Sequence, residues 1–167
     1  MLNPKEKGSG FERDISKQLS LWLSGGLRND ILWRSEISGG RFTFSSSRGK
    51  AVGAPGDITA TDPLGYKFVS DFVSECKFWK DLHFIQFLFG KGELYKALLK
   101  VRKQAMDCKK SWWLVAKQNS QPILLFMPTS VKFSCKKPNH HLLFTGKVYM
   151  FQLDEFLSKV KPEEITC

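Results

Sequence analysis

An acid, a thiol and an amine stand in a row at Glu75-Cys76-Lys77, inside the run FVSECKFW that reads as a strand. A second acid, Asp57, follows Pro55-Gly56 upstream. Ionised groups in a buried strand are costly unless they are paired or bound to a metal. Side chains alternate along a pleated strand, so Glu75 and Lys77 share one face while Cys76 takes the other. The Cα atoms of Glu75 and Lys77 then lie about 6.6 Å apart, close enough for both side chains to serve one phosphate. A carboxylate ligates a hard cation such as Mg²⁺ through oxygen. Such a cation polarises a phosphoryl oxygen and activates a water. A lysine alongside places positive charge where a transition state gains negative charge. Asp57 would add a second carboxylate, and the backbone carbonyl of Cys76 a neutral oxygen ligand. An E-x-K triplet alone is more often a solvated strand face, so the elements around it decide its weight.

Whether Asp57 and Glu75 meet depends on the chain between them. A tight hairpin centred on Pro63-Leu64 would set Asp57 opposite Ser70, about 17 Å from Glu75, with Asp71 as its neighbour. A wide connection over 62–70 would pair Asp57 with Glu75. The wide connection is preferred because only Glu75 has a lysine two residues on; Asp71 stays as the rival.

The remaining elements follow from periodicity. Residues 1–10 are polar and rich in Gly and Ser, a mobile arm by composition. Ser9 is placed to cap a helix, with Glu12 completing a capping box. Phe11, Ile15, Leu19 and Trp22 recur at helical spacing, which sets Glu12 at the core boundary, and Gly25-Gly26 ends the helix. Strands are expected at 31–37, 57–61, 112–117, 123–127 and near 147–151. Of the pair Trp112-Trp113, one ring should enter the core and the other lie elsewhere. A helix over 93–110 carries the stripe Leu94, Leu98, Val101, Ala105, and a short helix covers 153–160. The aromatic run 78–89 is open between core and dimer interface. Helices and strands in this order describe one α/β domain over 11–167, a mixed central sheet flanked by helices.

The 167 residues suit a single core, and the net charge of +10 favours a polyanionic partner, nucleic acid first. No run approaches the roughly 20 apolar residues that span a bilayer. The first ten residues carry no apolar stretch of signal type, so an intracellular protein is expected. Cysteines 76, 108, 135 and 167 lack zinc spacing and are expected to be reduced thiols. His140-His141 has no acid or thiol at ligand spacing. Arg34, Arg41, Arg48 and Lys50 lie in or beside the long segment 38–56, where they could hold DNA phosphates, with Ser38 and its glycines allowing close backbone approach. Lys100, Arg102, Lys103, Lys109 and Lys110 form a basic helix face, solvated or DNA-bound.

Together, GAPGDI and SECK resemble the PD-(D/E)XK nuclease motif, with Asp57 as its acid and Glu75-Cys76-Lys77 as its E-x-K. The stretch GSGFERDISKQL resembles the first helix of resolvase-like members and maps Glu12 onto their glutamate. RKQAMDCKKSWWLVAKQNSQPILLFM resembles the helix and two strands after the motif, with Gln104 at a recurrent glutamine. The likeness is greatest to phage and archaeal Holliday-junction-resolvase-like enzymes and to related phage endonucleases. In one departure, the proline stands two residues before Asp57 instead of directly before it. The resemblance implies an αβββαβ core, Mg²⁺-dependent hydrolysis of DNA phosphodiesters with Mn²⁺ as a substitute, and a homodimer. It implies Asp57, Glu75, the Cys76 carbonyl and Glu12 as metal ligands, and Lys77 as the catalytic lysine. The setting would be the cytoplasm of a bacterium or a phage-infected host, and the substrate branched or duplex DNA. Restriction-type cleavage, a non-catalytic DNA-binding accessory and RNA binding remain as alternatives.

Overall fold

The computed structural model describes residues 4–35, 55–144 and 146–167. Helix α1 runs Pro4–Leu23 and buries Phe11, Ile15, Leu19 and Trp22, the expected stripe. Its start differs from the expectation. The helix begins at Pro4, within the segment set apart as an arm, because proline suits a first turn where its missing N–H costs nothing. Ser9 is therefore not a cap: its hydroxyl donates to the Glu6 carbonyl within the helix, at 3.1 Å. Gly25 and Gly26 follow the helix with positive φ, and the Gly26 N–H donates back to the Leu21 carbonyl.

Strands β1 (Leu32–Arg34) and β2 (Ile58–Ala60) form an antiparallel pair. The buried Ser20 hydroxyl of α1 accepts from Leu32 N–H at 2.8 Å and fixes this pair against the helix. The connection after β2 is neither a tight turn nor an irregular loop. It holds a 3₁₀ turn, Pro63–Gly65, capped by the Asp62 side chain, and then helix α2, Tyr66–Asp71. Gly65 is buried, and a Cβ there would come within 2.9 Å of Leu32 Cδ2. This compact crossover delivers β3, Phe72–Trp79, parallel to the residues preceding β2, with a single bridge from Gly56 to Ser74. Asp57 and Glu75 do come side by side, but not across a widened hairpin: the helical crossover turns the chain so that Gly56 bridges Ser74 in parallel, which sets the next residues, Asp57 and Glu75, beside each other.

Helices α3 (Phe84–Leu88) and α4 (Gly92–Asp107) lead to β4 (Ser111–Gln118), which pairs parallel to β3. Strands β5 (Leu124–Pro128) and β8 (Val148–Gln152) continue the sheet antiparallel, and β7 (His141–Leu143) closes its far edge. The result is a five-stranded mixed sheet in the order β3-β4-β5-β8-β7. Helix α5 (Leu153–Lys159) follows β8, and a small pair of β6 (Lys132–Phe133) and β9 (Ile165–Thr166) lies apart from the sheet.

Both faces of the sheet are covered. Trp113 packs with Trp22, Phe68, Phe72 and Phe156 on the α1 side, while Trp112 packs with Val73, Leu98 and Val101 on the α4 side. One of these two rings was expected outside the core; both are buried because alternation sends them into different cores. The four stripe residues of α4 are all buried, as expected. The aromatic run 78–89 divides: Leu82 and Phe87 enter the α4-side core, whereas Ile85, Leu88 and Phe89 stay exposed. The four cysteines are free thiols.

Candidate active site

The site is built where Asp57 meets β3. Gly56 has φ +106, and a Cβ there would lie 2.5 Å from the Ser74 carbonyl oxygen. Only glycine permits this approach. It lets the Asp57 N–H donate to Ser74 O at 2.7 Å, while the Ser35 N–H donates to Asp57 O at 2.8 Å. With its backbone held on two sides, Asp57 turns its carboxylate onto β3, where Oδ2 accepts from the Cys76 N–H at 2.8 Å.

Glu75 and Lys77 share a face of β3, as the pleat demands. Lys77 Nζ is 2.5 Å from Glu75 Oε1 and 3.6 Å from Asp57 Oδ2, and it donates to the Cys76 carbonyl at 3.1 Å. Glu75 is fully buried. Its Oε1 also accepts from Lys100 Nζ of α4 at 2.8 Å, while its Oε2 has no hydrogen-bond partner among the described residues. Cys76 points to the opposite face and into the α1-side core, where burial pushes its thiol well above the usual range.

Glu12 reaches the same region from α1. Arg34 Nε lies 3.3 Å from Glu12 Oε2, and neither atom makes a hydrogen bond, so the contact is a charge pair without aligned geometry. Partial burial raises the Glu12 pKa, and the Asp57 charge adds to the rise against the opposing pull of Arg34 and Lys77. Burial likewise raises Asp57, helped by the Glu75 charge, while Lys77 opposes. Burial alone would depress Lys77, but Asp57 and Glu75 together hold it above its ordinary value. Three acids and two lysines thus share one field.

The structure distributes the other expected residues as follows. Gln104 stands one helical turn after Lys100, with a buried Oε1 that lacks a partner. Asp71 ends α2 and pairs with Lys67 at 2.6 Å, apart from the carboxylates. Arg34 turns its guanidinium toward Glu12. Ser38, Arg41, Arg48 and Lys50 lie outside the described residues. One participant escaped sequence reading as a site residue. Lys100 looked like one of several cations on an outer helix face, and only the packing of α4 against β3 brings it to Glu75. The available signal was its place directly before the buried Val101, at the edge of the α4 stripe.

The donors that face one another are hard oxygens: the carboxylates of Asp57 and Glu75 and the Cys76 carbonyl. Among the described residues no three His, Cys, Asp or Glu side chains converge into a ready-made metal cage. Yet Glu75 Oε2 and Glu12 Oε2 are buried acceptors without a hydrogen bond, the kind of atom a divalent cation would satisfy. The residues present therefore fit such an ion.

A comparison with known families agrees with this geometry. The family described as "Phage putative PDDEXK endonuclease" matches residues 3–166. The chain belongs to that family. No curated protein and no solved structure shows significant similarity to it. The match includes Glu12 on α1, Asp57 just before β2, and Glu75 and Lys77 on β3. Its α/β domain, with a mixed central sheet between helices, has the restriction-endonuclease-like core of the PD-(D/E)XK superfamily, whose nucleases generally use divalent metals. Among the described residues no helix is long and apolar enough to cross a membrane.

Proposed function

We propose that this nuclease is a Mg²⁺-dependent endodeoxyribonuclease that hydrolyses phosphodiester bonds in branched DNA, four-way junctions first. The observation that carries the reading is the meeting of Asp57, Glu75 and Lys77 within contact distance, with Glu75 fully buried and one of its oxygens unpartnered. A buried acid is retained at such cost where its charge has a use.

Asp57, Glu75 and the Cys76 carbonyl would hold the cation, and Glu12 would hold it directly or through water. When bound, the ion supplies a Lewis acid for the phosphoryl oxygen and lowers the pKa of a water. Lys77 keeps its proton under the pull of two carboxylates, so it can orient the attacking water or balance charge developing on the phosphate. Arg34 and the basic residues of 38–56 are suited to the flanking phosphates. The preference for branched DNA rests on the likeness to junction-resolving enzymes, and the phage family fits work in the cytoplasm of an infected bacterium. Exposed Ile85, Leu88 and Phe89 on and beside α3 offer an apolar contact for a homodimer.

The decisive experiment compares cleavage of a four-way junction, linear duplex and supercoiled plasmid, with Mg²⁺, with Mn²⁺ and with EDTA. Cleavage of the junction that needs the ion, and that is lost in Asp57→Ala and Lys77→Ala while DNA binding persists, supports the proposal. Equal cleavage of plain duplex would assign a restriction-type activity. Salt-sensitive binding with no cleavage of any substrate would make the chain a DNA-binding accessory.

A further inference from the structure

Glu75 carries an uneven load. Its Oε1 takes both ammonium groups, Lys77 at 2.5 Å and Lys100 at 2.8 Å, while Oε2 takes no hydrogen bond. The two lysines are not equivalent. Lys77 is also tied to Asp57 and to the Cys76 carbonyl, and its side chain is only 28% exposed. Lys100 holds nothing but Glu75 among the described residues, and its side chain is 53% exposed. Around the site stand three carboxylates, Glu12, Asp57 and Glu75, against three cations, Arg34, Lys77 and Lys100. Their formal charges cancel. A divalent ion brought to Glu75 would leave the cluster with two excess positive charges, and the cation most easily returned to solvent is the most exposed one.

We propose that Lys100 is an exchange residue. It neutralises Glu75 while no divalent ion is bound, and it moves to a DNA phosphate when the ion arrives. Its position suits both states, because α4 carries the exposed cation Lys103 one turn beyond it on the same side of the helix, where a DNA backbone could run. Lys100 is thus a positioning residue that couples cation binding to DNA binding. The inference rests on the proposed reading of Glu75 as a metal ligand.

The test uses Lys100→Met, which keeps the apolar stem, and Lys100→Arg, which keeps the charge. Two readouts do not depend on cleavage. The first is calorimetric titration of the DNA-free protein with Mn²⁺. Without a competing ammonium, Lys100→Met should bind Mn²⁺ about fivefold more tightly than wild type, with Lys100→Arg near wild type. The second is the salt dependence of binding to a labelled four-way junction, in EDTA and in Ca²⁺. In Ca²⁺ the plot of log K against log salt should flatten by about 0.9 in Lys100→Met, the change expected when one phosphate fewer is neutralised. In EDTA, where Lys100 stays on Glu75, the slopes should coincide.

A slope change that appears equally in EDTA and Ca²⁺ would make Lys100 an ordinary surface cation and overturn the exchange. So would a Mn²⁺ affinity unchanged or weakened in Lys100→Met. If Lys100→Met melts well below wild type, Lys100→Gln takes its place in both measurements. A wild-type protein that binds no Mn²⁺ at all overturns the reading of the metal site itself. Wild-type binding that Lys100→Met merely reproduces overturns only the role of Lys100.

Discussion

The two faces of β3 meet opposite solutions to burial. On the α1 side Phe72 and Cys76 enter a core dense with rings, where Trp113 packs edge-on against Phe68 and Phe156. On the α4 side the same strand presents Val73 and then Glu75 and Lys77. Cys76 is buried without any charge to satisfy, and burial keeps it a thiol. Glu75 is buried more completely still, yet two ammonium groups compensate its charge. One strand thus serves as a wall of the core and as the floor of a polar site, and the two-residue pleat keeps these uses apart. The stability of the fold should depend on the first face and its chemistry on the second.

That separation can be broken most severely at the ring cluster. Trp113→Ala should cost about 3–5 kcal/mol in urea unfolding, enough to depopulate a small domain. A variant that melts like wild type would show that the α1-side core is not what holds β3. On the other face, Lys77→Met should lower cleavage about 10²–10³-fold while the melting temperature moves little. A loss of fold instead of rate would mean that the two faces are not independent. Between them stands Gly56→Ala, whose Cβ would meet the Ser74 carbonyl at 2.5 Å in a backbone conformation that side chains avoid. It should cost about 1–3 kcal/mol and reduce cleavage as well, since Asp57 is carried on the same peptide.

The comparison sharpens with pH. Asp57 and Glu12 ionise above their ordinary values of 3.8 and 4.5 in the folded chain. The folded state therefore holds protons that the unfolded chain has released. In EDTA, stability should fall as pH rises from those ordinary values through the raised folded ones. Asp57→Asn should flatten that decline in a series of melting curves. Cleavage should run the other way, lost on acidification through the same raised values, because protonated acids cannot hold a cation. The smallest effect is expected at Lys7, whose Nζ lies 4.0 Å from the Phe78 ring centroid at the end of the same strand. Lys7→Ala should cost about 0.5–1 kcal/mol of stability.

Much of this was legible in the residues. The stripes of α1 and α4 follow from periodicity, because each helix buries a single face. The alternation along β3 placed Glu75 and Lys77 together and Cys76 apart. The glycine before Asp57 carried no such message in the sequence, and only its contact with the Ser74 carbonyl shows why it is needed. Other features depend on tertiary contact or on weak local signals. Asp62-Pro63-Leu64-Gly65 reads as a turn and is one, a 3₁₀ turn, but helix α2 after it is six residues long and too short to show a period. Gly8 and Gly10 disguised the first turns of α1, since each is a poor helix former. The two-residue strands β6 and β9 are too short to show a period. Lys100 stands at the edge of the α4 stripe, but its partner lies on another element, so that signal alone did not assign it to the site.

The hydrogen bond from the Ser35 amide to the Asp57 carbonyl makes a clasp. Ser35 and Asp57 lie well apart in sequence, and this bond joins their backbones directly, at a candidate ligand. Relatives could exchange or lengthen the stretch between them without disturbing the anchor, since doubling a connection costs only about 0.6 kcal/mol in closure entropy. The scaffold therefore separates what is fastened from what can vary.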